Sequence, residues 1–197
     1  AFNMNADEAK VRNYLSACGL QAERLERKIG KAPDFRVLLG DQLQFFCEVK
    51  SIERDVWLDR QFDEAASSIF VGGSRPDPIF NRLTDDIHTA IKQFVAVNPS
   101  DEYPNVLALV NHDELCGVSD LIGILTGGVV SADGKALPIY VKFSHGRIKN
   151  EKRRVHLFIW LDDGQEHLVF TKTHKKHHQT LCSLFEKKCG SIAIIGG

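Results

Sequence analysis

Three residues near the front of the chain have the types and spacing to gather charge around a cation: Asp34, Glu48 and Lys50. Glu48 and Lys50 stand in "FFCEVKSI", residues 45–52, an aromatic and β-branched run that reads as a buried strand. Two residues apart, they point to the same face of it. A buried charge is costly unless it is paired, hydrogen-bonded or bound to a metal. The strand must therefore bring these two a partner.

Hydrophobic patterning names that partner. Around Gly40, the odd positions Phe35, Val37, Leu39, Leu43, Phe45, Cys47 and Val49 are all apolar. The even positions are mixed. Paired as a hairpin, the two runs must share one continuous apolar face, so odd residues oppose odd residues. A three-residue loop, Gly40-Asp41-Gln42, meets this condition and sets Asp34 opposite Glu48. Two carboxylates in contact repel unless a proton or a cation lies between them. A divalent metal is the simplest resolution, with Lys50 adding positive charge beside it.

"PDF" at 33–35 and "EVK" at 48–50 resemble the signature of the PD-(D/E)xK nuclease superfamily. PD also occurs at 76–77, and ExK at 26–28 and 186–188. Only Asp34 and Glu48-Val49-Lys50 fall on adjacent predicted strands, in the family's order, on one face. The resemblance implies a restriction-endonuclease-like αβββαβ core, a central mixed sheet flanked by helices. It also implies Mg²⁺ or Mn²⁺ held by Asp34, Glu48 and the Val49 backbone carbonyl. Lys50 then assists the attacking water, and DNA phosphodiester bonds are the substrate. By the same resemblance Glu8, on the first helix, is a further metal ligand, and Lys92 or Gln93 a supporting residue. Position 97 is Val, so the QxxxY form of the later helix is missing.

The elements that must position these residues are legible as periodicity. Residues 7–18 carry a helical stripe of Val11, Tyr14, Leu15 and Cys18, with Glu8 on the same face. Residues 21–29 alternate weakly, as an edge strand does. Residues 53–80 read as an irregular insertion with a short helix at 61–68. A helix over 82–97 ends at Asn98-Pro99, and the apolar run 105–112 reads as a central strand. A short helix is expected in "VSDLIGIL". The chain is expected to be one domain: a nuclease-like core over 5–112 and a β-rich extension over 113–197. That extension carries a strand in "LPIYVKF", a hairpin around Asp162-Asp163-Gly164 and a helix over 179–188.

Charge is uneven along the 197 residues, although the net charge is −1. Residues 1–132 hold 13 Lys and Arg against 20 Asp and Glu; residues 133–197 hold 12 against 6. A cation site in the front and a polyanion surface in the back would suit that distribution. The loop "HGRIKNEKRR" offers Arg147, Lys149, Lys152, Arg153 and Arg154 as nucleic-acid contacts. Trp57 and Trp160 are candidates for base stacking. "THKKHHQTLC" gathers His174, His177, His178 and Cys182 ahead of Cys189, but the spacing fits no standard zinc site.

No apolar run approaches the roughly 20 residues of a membrane span, and no secretory pattern is present. The five cysteines are dispersed, with no CxxC, so a reduced, cytoplasmic protein is expected. A homodimer would suit the cutting of two strands. Three classes of function follow: a Mg²⁺-dependent endonuclease, a nuclease-like fold that binds nucleic acid or protein without catalysis, and an unrelated α/β binding protein.

Overall fold

The computed structural model describes residues 4–25, 32–54, 79–130, 135–138, 146–148, 151–186 and 191–195. The fold is mixed α/β, with a seven-stranded mixed sheet and helices packed against it. The chain begins with α1 (Ala6–Ala17), β1 (Gln21–Arg24), β2 (Phe35–Leu39) and β3 (Gln42–Ile52). It continues through α2 (Ile79–Val97), β4 (Asn105–Asn111), α3 (Val118–Thr126), β5 (Gly128–Val130) and β6 (Ala136–Pro138). After a 3₁₀ turn at Glu151–Arg154 come β7 (Leu157–Leu161), β8 (Glu166–Thr171), α4 (Lys175–Phe185) and β9 (Ser191–Ile195). The expected insertion helix, at 61–68, lies outside the described residues, as does most of "LPIYVKF".

The sheet runs β1-β2-β3-β4-β7-β8-β9, and β5 and β6 form a separate pair. β3, β4 and β7 are mutually parallel. β1/β2, β2/β3 and β7/β8 are antiparallel, and β9 runs parallel to β8. The strands read as a C-terminal extension thus join the central sheet. β4 and β7 are buried at every position, as strands covered on both faces must be.

Alternation sends the two faces to different helices. Val106, Ala108, Leu157 and Ile159 pack with Val11, Leu15, Leu181 and Phe185 of α1 and α4. Leu107, Leu109, Phe158 and Trp160 pack with Leu83, Ile87, Phe94 and Leu121 of α2 and α3. Trp160 is fully buried, so base stacking is closed to it; Trp57 lies outside the described residues.

The β2–β3 hairpin departs from the expected loop. Leu39 pairs with Gln42 and Leu38 with Leu43, which leaves a two-residue turn, Gly40-Asp41. Gly40, at φ 60°, takes the first turn position, where a primed hairpin turn calls for glycine. A bulge between Val37 and Leu38 then shifts the ladder by one residue, to Val37 opposite Phe45 and Phe35 opposite Cys47. The continuous apolar face is restored beyond the bulge, and Leu39, before it, is left 49% exposed.

Candidate active site

β2 stops pairing at Phe35, because Pro33 has no N–H to donate to the ladder. Asp34 turns out of the strand at that point, with its carbonyl accepting from Leu25 N at 3.0 Å. Its side chain takes the place that a strand partner would have held. Asp34 Oδ2 accepts from Val49 N at 2.9 Å, and Asp34 N donates to Glu48 Oε2 at 3.1 Å. A residue's N–H and C=O point the same way within a strand. The Val49 carbonyl therefore faces the gap that β2 leaves, on the side of Asp34.

Glu48 and Lys50 share a face with Phe46 and Ile52, which pack on the α2 side of the sheet. Lys50 Nζ donates to Glu48 Oε1 at 2.7 Å and to Gln93 Oε1 at 3.2 Å. Gln93 Nε2 donates onward to Ala32 O at 3.3 Å, tying α2 to the residues before Asp34. Glu48 is fully buried and Asp34 nearly so, whereas Lys50 keeps a partly open side chain.

Burial pushes the Glu48 carboxyl up to about 7, with the Asp34 carboxylate adding to the rise. Lys50 and Gln93 pull it back only in part. Cys47, behind them, is raised by burial and then by the same two carboxylates, so its thiol stays protonated. Two buried carboxylates thus share one ammonium, that of Lys50.

Asp34 and Glu48 offer hard carboxylate oxygens, each with two lone pairs. The Val49 carbonyl adds a third oxygen. Among the described residues no group of three or more His, Cys, Asp or Glu side chains is arranged to hold a metal. Asp34, Glu48 and the Val49 carbonyl are the oxygen donors that could hold a cation here, with water completing its shell.

The structure brings together Asp34, Glu48, Lys50 and Gln93; it places the other candidates elsewhere. Glu8 lies on α1, on the opposite face of the sheet, where Arg24 holds it at 3.1 Å and Asn5 at 3.3 Å. Lys92 is exposed. Lys152 is the clear departure: it is buried, and its ammonium donates inward to Leu125 O at 2.9 Å. Arg154 is spent on Asp101 at 3.0 Å and Pro99 O at 2.9 Å. Arg147 is half-buried and bonds Asn81; Arg153 is exposed. Lys149 lies outside the described residues.

One acid beside the site, Asp86, escapes a reading of the sequence, and a second, Asp7, lies behind β3 on the α1 side. Asp86 stands seven residues before Gln93 on α2, two turns away on the same face. Burial raises its carboxyl, and Lys50 and Arg82 pull it back, so it feels the same ammonium as Glu48. With Ser51, Glu53 and Arg82 it lines a cavity of about 280 Å³. The seven-residue spacing was the available signal. Asp7, on α1, accepts from Ser51 Oγ and from His112 Nε2 at 2.9 Å. Its place in the first helical turn gives it an ordinary capping reading in sequence.

The histidine cluster divides. His174 and His177 stack on each other at 3.8 Å and lean toward His156, while His178 lies beside Cys182 at 3.6 Å. Cys189 lies outside the described residues.

Comparison with protein-family models, with curated proteins and with solved structures finds no match to the chain.

Proposed function

We propose that the protein is a metal-dependent nuclease of restriction-endonuclease-like fold that hydrolyses DNA phosphodiester bonds. The observation that carries this reading is the joining of Asp34, Glu48 and Lys50 by hydrogen bonds where β2 parts from β3. The element order α1-β1-β2-β3-α2-β4 and the parallel β3/β4 pair support the fold assignment.

Asp34, Glu48 and the Val49 carbonyl would hold Mg²⁺ or Mn²⁺. When bound, that ion supplies positive charge to the phosphate oxygens and acidifies water. Asp34 is held by the Val49 N–H and Glu48 by the Asp34 N–H, so their oxygens are positioned before substrate arrives. Lys50, steadied by Gln93, places its ammonium against the attacking water and the phosphate oxygen that gains charge. Attack forms the new P–O bond and breaks the bond to the leaving sugar oxygen; the attacking water gives up one proton to solvent, and the leaving oxygen takes one up from solvent.

One observation favours a nuclease-like module without catalysis. Both Glu48 oxygens already have partners, Lys50 at Oε1 and the Asp34 N–H at Oε2. Incubation of plasmid and single-stranded DNA with the protein and Mg²⁺ or Mn²⁺ separates the two. The nuclease reading expects cutting that Asp34→Ala abolishes; cutting that survives this change refutes it.

A further inference from the structure

β7 and β8 pair antiparallel, with Leu157 opposite Phe170. The pairing continues past the strands: Thr171 N donates to His156 O at 3.1 Å, and Thr173 Oγ1 to Arg153 O at 3.5 Å. Two basic segments distant in sequence, "KRR" at 152–154 and "KTHKK" at 172–176, are thereby set side by side. Arg153, Lys172, His174, Lys175 and Lys176 are all exposed. Of the neighbouring acids, Asp101 is paired with Arg154 at 3.0 Å, while Glu151, 3.6 Å from His88, and Glu102 are exposed.

The scaffold beneath the patch is fixed. His177 is buried, and its Nε2 donates to Asp101 O at 2.7 Å. Its ring packs on His174 and, at 4.6 Å, on His156. Thr171 Oγ1 donates to Val155 O at 2.8 Å. The lysine stems thus rise from an anchored helix start.

We propose that Arg153, Lys172, His174, Lys175 and Lys176 form a docking surface for the phosphate backbone of a nucleic acid. The proposal deepens the nuclease reading and rests on it for the identity of the polyanion. The patch has charge and no apolar side chain among its five members. That composition suits phosphate contacts, which position without reading sequence. An interfacial membrane surface would pair such charge with apolar groups that insert.

The patch lies at the strand starts of β4 and β7. Leu107 pairs with Glu48 on one side and Phe158 on the other, so His156 lies two strands across and two residues along from Glu48. At ~4.8 Å between strands and ~3.3 Å per residue, that is about 12 Å between backbones. Duplex DNA carries a charge every ~1.7 Å of axis. Lys50 lies two residues further along β3 and faces α2, whereas α4 packs on the other side of the sheet, so a backbone bound at the patch approaches the site from the strand starts of β4 and β7.

The test is anisotropy of a short labelled duplex and its single strand, without divalent ions, from about 50 to 200 mM salt. The full chain is compared with Arg153→Ala/Lys172→Ala/Lys175→Ala/Lys176→Ala and with Lys10→Ala/Arg12→Ala on exposed α1 positions. The quadruple variant should bind about tenfold more weakly or worse, with a salt slope shallower by about three. Lys175→Gln/Lys176→Gln should move in the same direction, and the α1 pair should leave binding unchanged. Equal binding by the patch variants and the native chain overturns the proposal. So does binding to anionic vesicles or acidic proteins with none to either nucleic acid. Binding is read without metal, so an inert Asp34/Glu48 centre leaves this result untouched, and a failed surface leaves the cleavage test untouched.

Discussion

The backbone N–H of Asp34 donates to Oε2 of Glu48 at 3.1 Å, while Asp34 in turn accepts from the N–H of the residue after Glu48. Each carboxylate is thus held by the other's strand, and neither can swing away from its neighbour. Such a pair is destabilising alone and relieved by a shared cation.

Mg²⁺ or Mn²⁺ should therefore raise the thermal midpoint of the native chain. At a hundredfold excess over the dissociation constant the gain is about 2.7 kcal/mol. Asp34→Ala should lose this gain in the same thermal scan. An equal gain in both proteins would place the ion elsewhere.

The pH dependence has a definite sign. Glu48 is raised from 4.5 to about 7 in the folded protein. Below 4.5 the group is protonated in folded and unfolded chains alike, and burial carries no charge penalty. Between 4.5 and about 7 the unfolded chain releases a proton that the folded chain keeps, so stability falls as pH rises, then levels off. Glu48→Gln removes this effect. Denaturant titrations across that window, without metal, should show the variant gaining on the native chain up to about pH 7 and no further.

The site was legible in the sequence because the odd residues of β2 and β3 had to make one apolar face. That condition opposes Asp34 to Glu48 whichever turn delivers it. The turn itself was not legible. A two-residue turn with a bulge and a three-residue loop give the same register beyond Val37, and patterning reports only the register. The place of β7 was hidden differently: "LFIWL" shows burial on both faces but does not say which strands flank it. Lys152 was misread because a basic run suggests a solvated loop, whereas its long stem let the ammonium reach a carbonyl of α3.

Lys50 and Gln93 should separate by effect. Lys50→Ala should lower cleavage by about 10²–10³ while leaving the metal-dependent thermal gain in place. Gln93→Ala loosens Lys50 without removing it, and a loss of between about 10- and 100-fold is expected. Single-turnover rates at saturating Mg²⁺ measure both. A Gln93→Ala rate equal to native would remove Gln93 from the site.

The C-terminal strands belong to the sheet that carries the site, so damage there should be felt globally. Ile159→Ala, at a fully buried position of β7, should cost about 2–5 kcal/mol. Circular dichroism and fluorescence should report one shared unfolding transition. Two separate transitions would mean that β7 and β8 fold apart from β2 and β3.

The central claim is that Asp34 and Glu48 hold a divalent cation and Lys50 uses it to cut DNA. Mn²⁺ titration followed by plasmid cleavage on the same samples tests it most directly. The account predicts that the native chain binds and cuts, that Lys50→Ala binds without appreciable cutting, and that Asp34→Ala does neither. Cutting by both variants at the native rate, or a native chain that neither binds Mn²⁺ nor cuts, would contradict it.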